Sequence, residues 1–273
     1  MQNMKSILLH VDSSAKAGER IGVARHLAEK FDASVIAQPC MLSAVMLYPY
    51  ALGGATAVLK HAHESDDDCL RKARRLFDEF GQNSARMRWA KPLPEGPWGF
   101  ARRALYADLL VMGQREEDDP AAGLLPSDFL PSVLVESGRP ALILPRVGRV
   151  DSVGDSVVVA WKETPQASRA LAASLPWLQH AKHVLVVSGS ASEPTRNPFL
   201  AGYLQAHGIK ANYRDIQGGD GEVGESILSS CADVGADLLV MGCYGHSRSR
   251  EWIMGGATRS VLNAMTLPVL MAH

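Results

Sequence analysis

Residues Ala236–Thr258 read ADLLVMGCYGHSRSREWIMGGAT. Leu238-Leu239-Val240-Met241 is a short apolar run, the pattern of a strand buried on both faces. Gly242 and Gly245 follow, then nine residues, then Gly255-Gly256. Ala257-Thr258 open an amphipathic segment with Val261, Leu262 and Met265 on one side, which predicts a helix. The order is strand, glycine, long polar loop, glycine pair, helix N-terminus. Such a segment suits an anion. Glycines allow close backbone approach, and the free N–H groups of a helix start attract negative charge. His246, Arg248 and Arg250 add donors and positive charge within the loop.

The same strand sequence occurs twice. ADLLVMG stands at Ala107–Gly113 and at Ala236–Gly242, 129 residues apart (107 to 236). Ser132-Val133-Leu134 recurs as Ser260-Val261-Leu262, and Pro140-Ala141-Leu142 parallels Pro268-Val269-Leu270, both 128 apart. Ser6–Asp12 resembles Ser156–Lys162 at an offset of 150. The chain of 273 residues is therefore read as a duplication with about twenty extra residues in the middle of its first copy. Two domains are expected, 1–147 and 155–273, around a linker carrying Gly148, Val150 and Gly154.

Each copy alternates apolar strands with amphipathic helices. Expected strands in the first are Ser6–Val11, Ser34–Gln38, Ala85–Ala90, Leu109–Met112 and Ala141–Leu144. Expected helices are Glu19–Phe31, Asp66–Phe80, Gly99–Leu105 and Pro131–Glu136. The second copy gives strands Val157–Trp161, His183–Val187, Lys210–Asp215, Leu238–Met241 and Val269–Met271. Its helices are Pro165–Leu178, Asn197–His207, Glu222–Val234 and Ala257–Met265. The fold class is α/β: two tandem doubly wound domains, each with a five-stranded parallel sheet flanked by helices.

Composition excludes several classes. The formal net charge is −1, which argues against general nucleic-acid or anionic-membrane binding. The four cysteines form no C-x-x-C pair, and a reducing cytoplasm is expected. Cys243, in the glycine loop, is either a thiol activated by a helix terminus or a small filler. Ala33–Leu59 lacks Asp, Glu, Lys and Arg, but Pro39, Pro49 and Gly53-Gly54 interrupt it, so it is not read as a membrane span. Within it, Met41–Leu59 either covers an apolar ligand or partner, or packs on the first domain. His61 and His63 with Asp66–Asp68 resemble a zinc set, but an acidic helix start is the preferred reading, and no metal is assigned. No Walker G-K-[ST] occurs, nor any nucleophile–base signature, so no catalytic residue is assigned.

Gly242-x2-Gly245-x9-Gly255, followed by Gly256, resembles the ATP-binding motif of the universal stress protein family. The resemblance spans essentially the whole chain and is stronger in Ser156–His273. It implies strand order 3-2-1-4-5, with the ligand at the switch point between strands one and four. The implied site comprises Ala160, Lys162, Val187, Met241, Gly242, Gly245, His246, Arg248, Gly255, Gly256, Ala257 and Thr258. The implied ligand is ATP, with or without Mg²⁺. The family's Asp at the end of strand one is matched by Asp12 in the first copy but by Lys162 in the second. Lys162 is either a solvated loop charge or a ligand contact that donates hydrogen bonds but accepts none. In the first copy Glu116, Ser127 and Asp128 replace Gly245, Gly255 and Gly256, and Glu116–Asp119 place acid where phosphate would lie. No triphosphate is expected there, and Asp12 becomes a relic or a local hydrogen-bond acceptor. The resemblance further implies a cytoplasmic regulator of stress responses with an unidentified protein partner. Its two domains would mimic the family's dimer through their fifth strands, alone or pairing again as a homodimer. Alternatives are a slow ATPase or autophosphorylating enzyme, which single-turnover product formation would reveal, and a nucleotide-free scaffold, which would tolerate Gly245→Glu.

Overall fold

A computed structural model describes residues 4–40, 56–93, 95–115, 125–189, 197–216, 222–245 and 256–273. The side chains of residues 56–63 and 65 also fall outside the description. The chain forms two compact units, Met1–Arg139 and Pro140–His273.

In the first unit the strands are β1 (Ser6–Val11), β2 (Ser34–Pro39), β3 (Met87–Trp89) and β4 (Leu109–Gly113). The helices are α1 (Ala17–Phe31), α2 (Thr56–Gly81), α3 (Pro97–Ala104) and α4 (Phe129–Ser137). β1 pairs in parallel with β2 and with β4, and β2 with β3, so the order is β3-β2-β1-β4. Ile7, Leu9, Val11, Leu110 and Val111 are fully buried, as near-continuous apolar strands must be when helices cover a parallel sheet. α2 begins ten residues before the expected start. α3 begins at Pro97, where a ring that fixes φ and lacks an N–H fits the first turn.

The second unit holds β5 (Ala141–Leu144), β6 (Ser156–Trp161), β7 (His183–Ser188), β8 (Asn212–Asp215), β9 (Leu238–Gly242) and β10 (Val269–Ala272). Its helices are α5 (Pro165–Leu178), α6 (Pro198–Ala206), α7 (Val223–Asp233) and α8 (Gly256–Ala264). The order is β5-β10-β9-β6-β7-β8. Every pairing from β10 to β8 is parallel. The five strands β8-β7-β6-β9-β10 reproduce the expected order 3-2-1-4-5. β5 adds an antiparallel pairing to this arrangement. It is the fifth strand of the first copy, yet it belongs to the second unit and lies antiparallel to β10, with Ile143 opposite Val269 and Ala141 opposite Met271. Two equivalent apolar edge strands thus satisfy each other's backbone groups.

The repeated Ala-Asp pair before β4 and β9 has a local purpose. Asp108 accepts hydrogen bonds from the backbone N–H of Lys5 (2.8 Å) and Ser6 (2.9 Å). Asp237 accepts from Gly154 N (3.1 Å), Asp155 N (3.1 Å), Ser156 N (2.9 Å) and Ser152 Oγ (2.6 Å). The two carboxylates anchor the starts of β1 and β6, at the ends of these strands opposite the crevice. Among the described residues, no helix is long and apolar enough to cross a membrane.

Candidate functional site: an open crevice and a filled one

The carboxyl ends of β6, β7 and β9 meet at the point where the strand order reverses. Ala160 lies beside Val187 on one side and Met241 on the other. Doubly wound sheets leave a crevice there, because the helices on either side depart to opposite faces. In the second unit the crevice is a cavity of about 570 Å³, within the range of about 300–1,000 Å³ common to small-molecule sites. Ala160, Val187, Ile216, Val223, Ile227 and Met241 supply apolar wall, and Lys162, Thr164, Gln166, Tyr244 and Thr258 supply polar groups.

The structure brings together nine of the residues expected from sequence: Ala160, Lys162, Val187, Met241, Gly242, Gly245, Gly256, Ala257 and Thr258 all line this cavity. His246, Arg248 and Gly255 lie outside the described residues, as does the acidic Glu116–Asp119 run of the first unit. The motif did not identify Trp161, Thr164, Gln166, Gly189, Ile216 or Tyr244, which also line the cavity. Trp161, Gly189 and Ile216 sit at or just beyond the carboxyl ends of β6, β7 and β8, so the switch-point rule applied to every strand would have found them.

Three helix starts face the cavity: Thr164–Ala167 of α5, Val223 of α7 and Gly256–Thr258 of α8. Thr164 caps α5 by accepting from Ala167 N (3.2 Å), and Pro165 follows at the first helical position. Each helix start favours an anion by roughly 0.3–1 kcal/mol. Gly242 has a structural duty beyond ligand approach. A Cβ there would lie 2.5 Å from Ala167 N and 2.7 Å from the Gln166 carbonyl carbon, so the glycine lets α5 pack against the end of β9. Tyr244 adopts φ +57°, a left-handed conformation rare for an aromatic residue. Among the described residues its buried hydroxyl has no hydrogen-bond partner, nor has the indole Nε1 of Trp161. Burial raises the Tyr244 phenol above its usual range, with a further contribution from Cys243. Cys243 itself is 1% exposed, and burial pushes its thiol up to about 12. The thiol is therefore a filler and not an activated nucleophile; desolvation outweighs the opposing charge of Arg169.

The equivalent crevice of the first unit is filled. Its residual space is about 40 Å³, lined by His10, Asp12, Arg20, Gly113 and Phe129 among others. Asp12 accepts from Arg20 Nη2 (2.7 Å), Ser14 Oγ (2.6 Å) and Ser14 N (3.0 Å), which makes it a local acceptor. Arg20 also donates from Nε to the His10 carbonyl (2.9 Å). Its guanidinium occupies the space beside Gly113 that a Cβ would need. His10, Phe100 and Phe129 pack ring to ring at centroid separations of 5.2–5.8 Å. At the corresponding positions of the second copy, Ala160 replaces His10, Ala170 replaces Arg20 and Ala257 replaces Phe129. Three large side chains become alanines, and a crevice opens.

Burial dominates the titration of His10 and lowers it from 6.5 to about 4. Asp12 opposes this, Arg20 adds to it, and a hydrogen bond to the Cys40 carbonyl opposes it. Burial alone would raise Asp12, but Arg20, His10 and Ser14 outweigh it and bring the group down to about 2. Both folded-state values lie below the unfolded ones, so each group's stabilisation is complete above its unfolded value and is lost as pH falls through its folded value. For His10 the window is pH 6.5 down to about 4. Across it the first unit is expected to lose on the order of 2–3 kcal/mol. Urea midpoints of the full chain at pH 7 and pH 5 test this, and His10→Asn should flatten the slope. An unchanged slope in that variant would remove His10 as the cause.

Residues 155–273 match the family model described as "Universal stress protein family". The universal stress protein Slr1230 of Synechocystis sp. is 42% identical over 50 residues, an overlap spanning 18% of this chain and 17% of that protein. A universal stress protein from Archaeoglobus fulgidus superposes with a TM-score of 0.72 at 18% identity, covering 100% of this chain and 99% of its own. A functionally unknown protein from Pseudomonas aeruginosa gives a TM-score of 0.61 at 15% identity, covering 98% and 92%. These structural likenesses speak for the fold along the full chain, and the family match for its second half. Residues 155–273 thus carry a domain that matches the universal stress protein family, and the preceding part of the chain repeats the same strand–helix order with a filled crevice.

Proposed function

We propose that the protein is a regulator that binds one adenine nucleotide, ATP, in the cavity of the second unit. The observation that carries this reading is the pair of crevices: about 570 Å³ in the second unit against about 40 Å³ in the first, at the same place in the same strand order. The apolar wall of Ala160, Val187, Ile216 and Met241 suits a purine, and the starts of α5 and α8 suit phosphates. Among the described residues no Asp or Glu lines this cavity, which favours holding the nucleotide over activating water against it. The inherited domains are 1–147 and 155–273, and the antiparallel pairing of the two fifth strands supports a covalent counterpart of a two-subunit assembly. The regulatory output is a nucleotide-dependent change in affinity for a protein partner in the cytoplasm.

The test is the nucleotide content of the protein as purified, measured by chromatography after denaturation, followed by calorimetric titration with ATP in the presence and absence of Mg²⁺. One ATP per chain is expected. Two per chain would refute the filled first crevice, and no bound or titratable nucleotide would refute the whole reading.

A further inference from the structure

The first unit has a second hollow, a cavity of about 540 Å³ at the end of β1 opposite its filled crevice. Leu8 and Ile36, register partners on β1 and β2, form the floor. Side chains alternate along a strand, and His10, two residues beyond Leu8, packs against Phe100 of α3 at 5.8 Å. The floor is therefore on the α3 side of the sheet, and Gly99 and Arg103 of α3 form a wall. Leu105 and Tyr106, both exposed, carry apolar surface out to the rim.

Two cations flank this floor. Arg103 is half-buried and lines the cavity. Arg88 lies beside Ile36 in β3. Its neighbour Trp89 turns to the other side of the sheet, where it packs on Phe77 of α2 at 5.3 Å. Arg88 thus turns to the same side as the cavity, and it is exposed there. Among the described residues neither arginine has an acidic partner, whereas Glu95, the carboxylate in the lining, is held by Arg102 at 2.5 Å. The second unit uses the same pair of elements differently. Asp233 at the end of α7 binds Arg214 of β8 at 2.8 Å, so third strand and following helix neutralise each other. In the first unit both present positive charge beside an apolar floor.

Such a surface suits a ligand with an apolar body and one anionic end. The body leaves water for the aliphatic floor, and a guanidinium holds a carboxylate through two parallel N–H···O bonds. We propose that this cavity is a second ligand site, which takes a free aliphatic carboxylate of the fatty-acid class. Its chain lies on Leu8 and Ile36, and its carboxylate is held by Arg103 and attracted by Arg88. The site is separate from the nucleotide cavity of the second unit and does not depend on it.

Calorimetric titration of the full chain with decanoate, kept below the concentration at which it forms micelles, tests the proposal. One decanoate per chain is expected, bound about tenfold more tightly than decanol, which lacks the charge, or propionate, which lacks the chain. Arg103→Glu and Arg88→Glu are each expected to weaken decanoate by about tenfold, since each replaces attraction with repulsion. Arg75→Glu, the same charge change at an exposed position of α2, should leave the affinity unchanged. Thermal unfolding reads the fold of each variant, and Arg88 is exposed, so its replacement disturbs no core. Absence of binding would overturn the proposal. So would decanol binding as tightly as decanoate, or an affinity that survives both substitutions. Loss of decanoate binding in Ala257→Phe would also overturn it, because Ala257 lines the cavity of the second unit.

Discussion

If the second unit binds ATP as proposed, Ala257→Phe will lower that affinity by about 100-fold or more, close to 3 kcal/mol, and will leave the fold intact. Phe129, the counterpart of Ala257, shows what a ring does at this position: it stacks on His10 and Phe100 and helps reduce the crevice to about 40 Å³. In the second unit the ring would enter an open cavity of about 570 Å³, so no packed core has to move aside. The usual overpacking cost of about 1–3 kcal/mol should therefore be absent. Arg259→Phe is the control, because Arg259 is exposed on the same helix and does not line the cavity. Calorimetry reads the affinity, and thermal unfolding reads the fold. An Ala257→Phe protein that binds as well as the natural one would place the ligand elsewhere.

Asp12→Ala will destabilise the first unit by about 3–5 kcal/mol, the usual result of stranding a buried charge. Arg20 and Asp12 are each 3% exposed, and their 2.7 Å ion pair is the only acidic contact given to the guanidinium among the described residues. Removing the carboxylate leaves that positive charge buried beside Gly113 and the His10 carbonyl. Arg20→Met in the Asp12→Ala background should recover most of the loss, because an apolar chain of similar length does not need the partner. Urea denaturation of the full chain should show one transition shifted and another in place, since two units need not unfold together. A loss below about 1 kcal/mol in Asp12→Ala would mean that water or a mobile Arg20 compensates the charge.

Much of the fold was legible because apolar strands that are buried on both faces leave an unmistakable imprint. Leu109–Met112 and Leu238–Met241 are identical in sequence, and all eight residues are buried. Helix ends were less legible. α3 starts at Pro97, not Gly99, and α8 ends at Ala264, not Met265, because ends are fixed by caps and packing more than by periodicity. The glycine motif located the cavity but did not reveal a second role of its first glycine. Gly242 is constrained by the first turn of α5, a contact between segments 75 residues apart (167 to 242) that periodicity cannot show. Cys243 was ambiguous for the same reason, since only burial decides whether a thiol beside a helix start is reactive.

The sequence by itself determined the repeated segments, the alternation of strands and helices, and the place of a cavity after the fourth strand of the second copy. These follow from local pattern: hydrophobic period, glycine spacing and repeated heptapeptides act over a few residues and survive without a partner segment. Only the tertiary structure decided which crevice is open. Arg20 lies eight residues beyond Asp12 on a helix, and Phe129 more than a hundred residues further on; folding brings both into one space, with His10 between them. Tertiary structure also decided that the fifth strand of the first copy pairs antiparallel with that of the second. Volume and edge pairing are properties of side chains and backbones assembled from distant parts of the chain, and close packing allows no space to be both filled by a ring and open to a ligand.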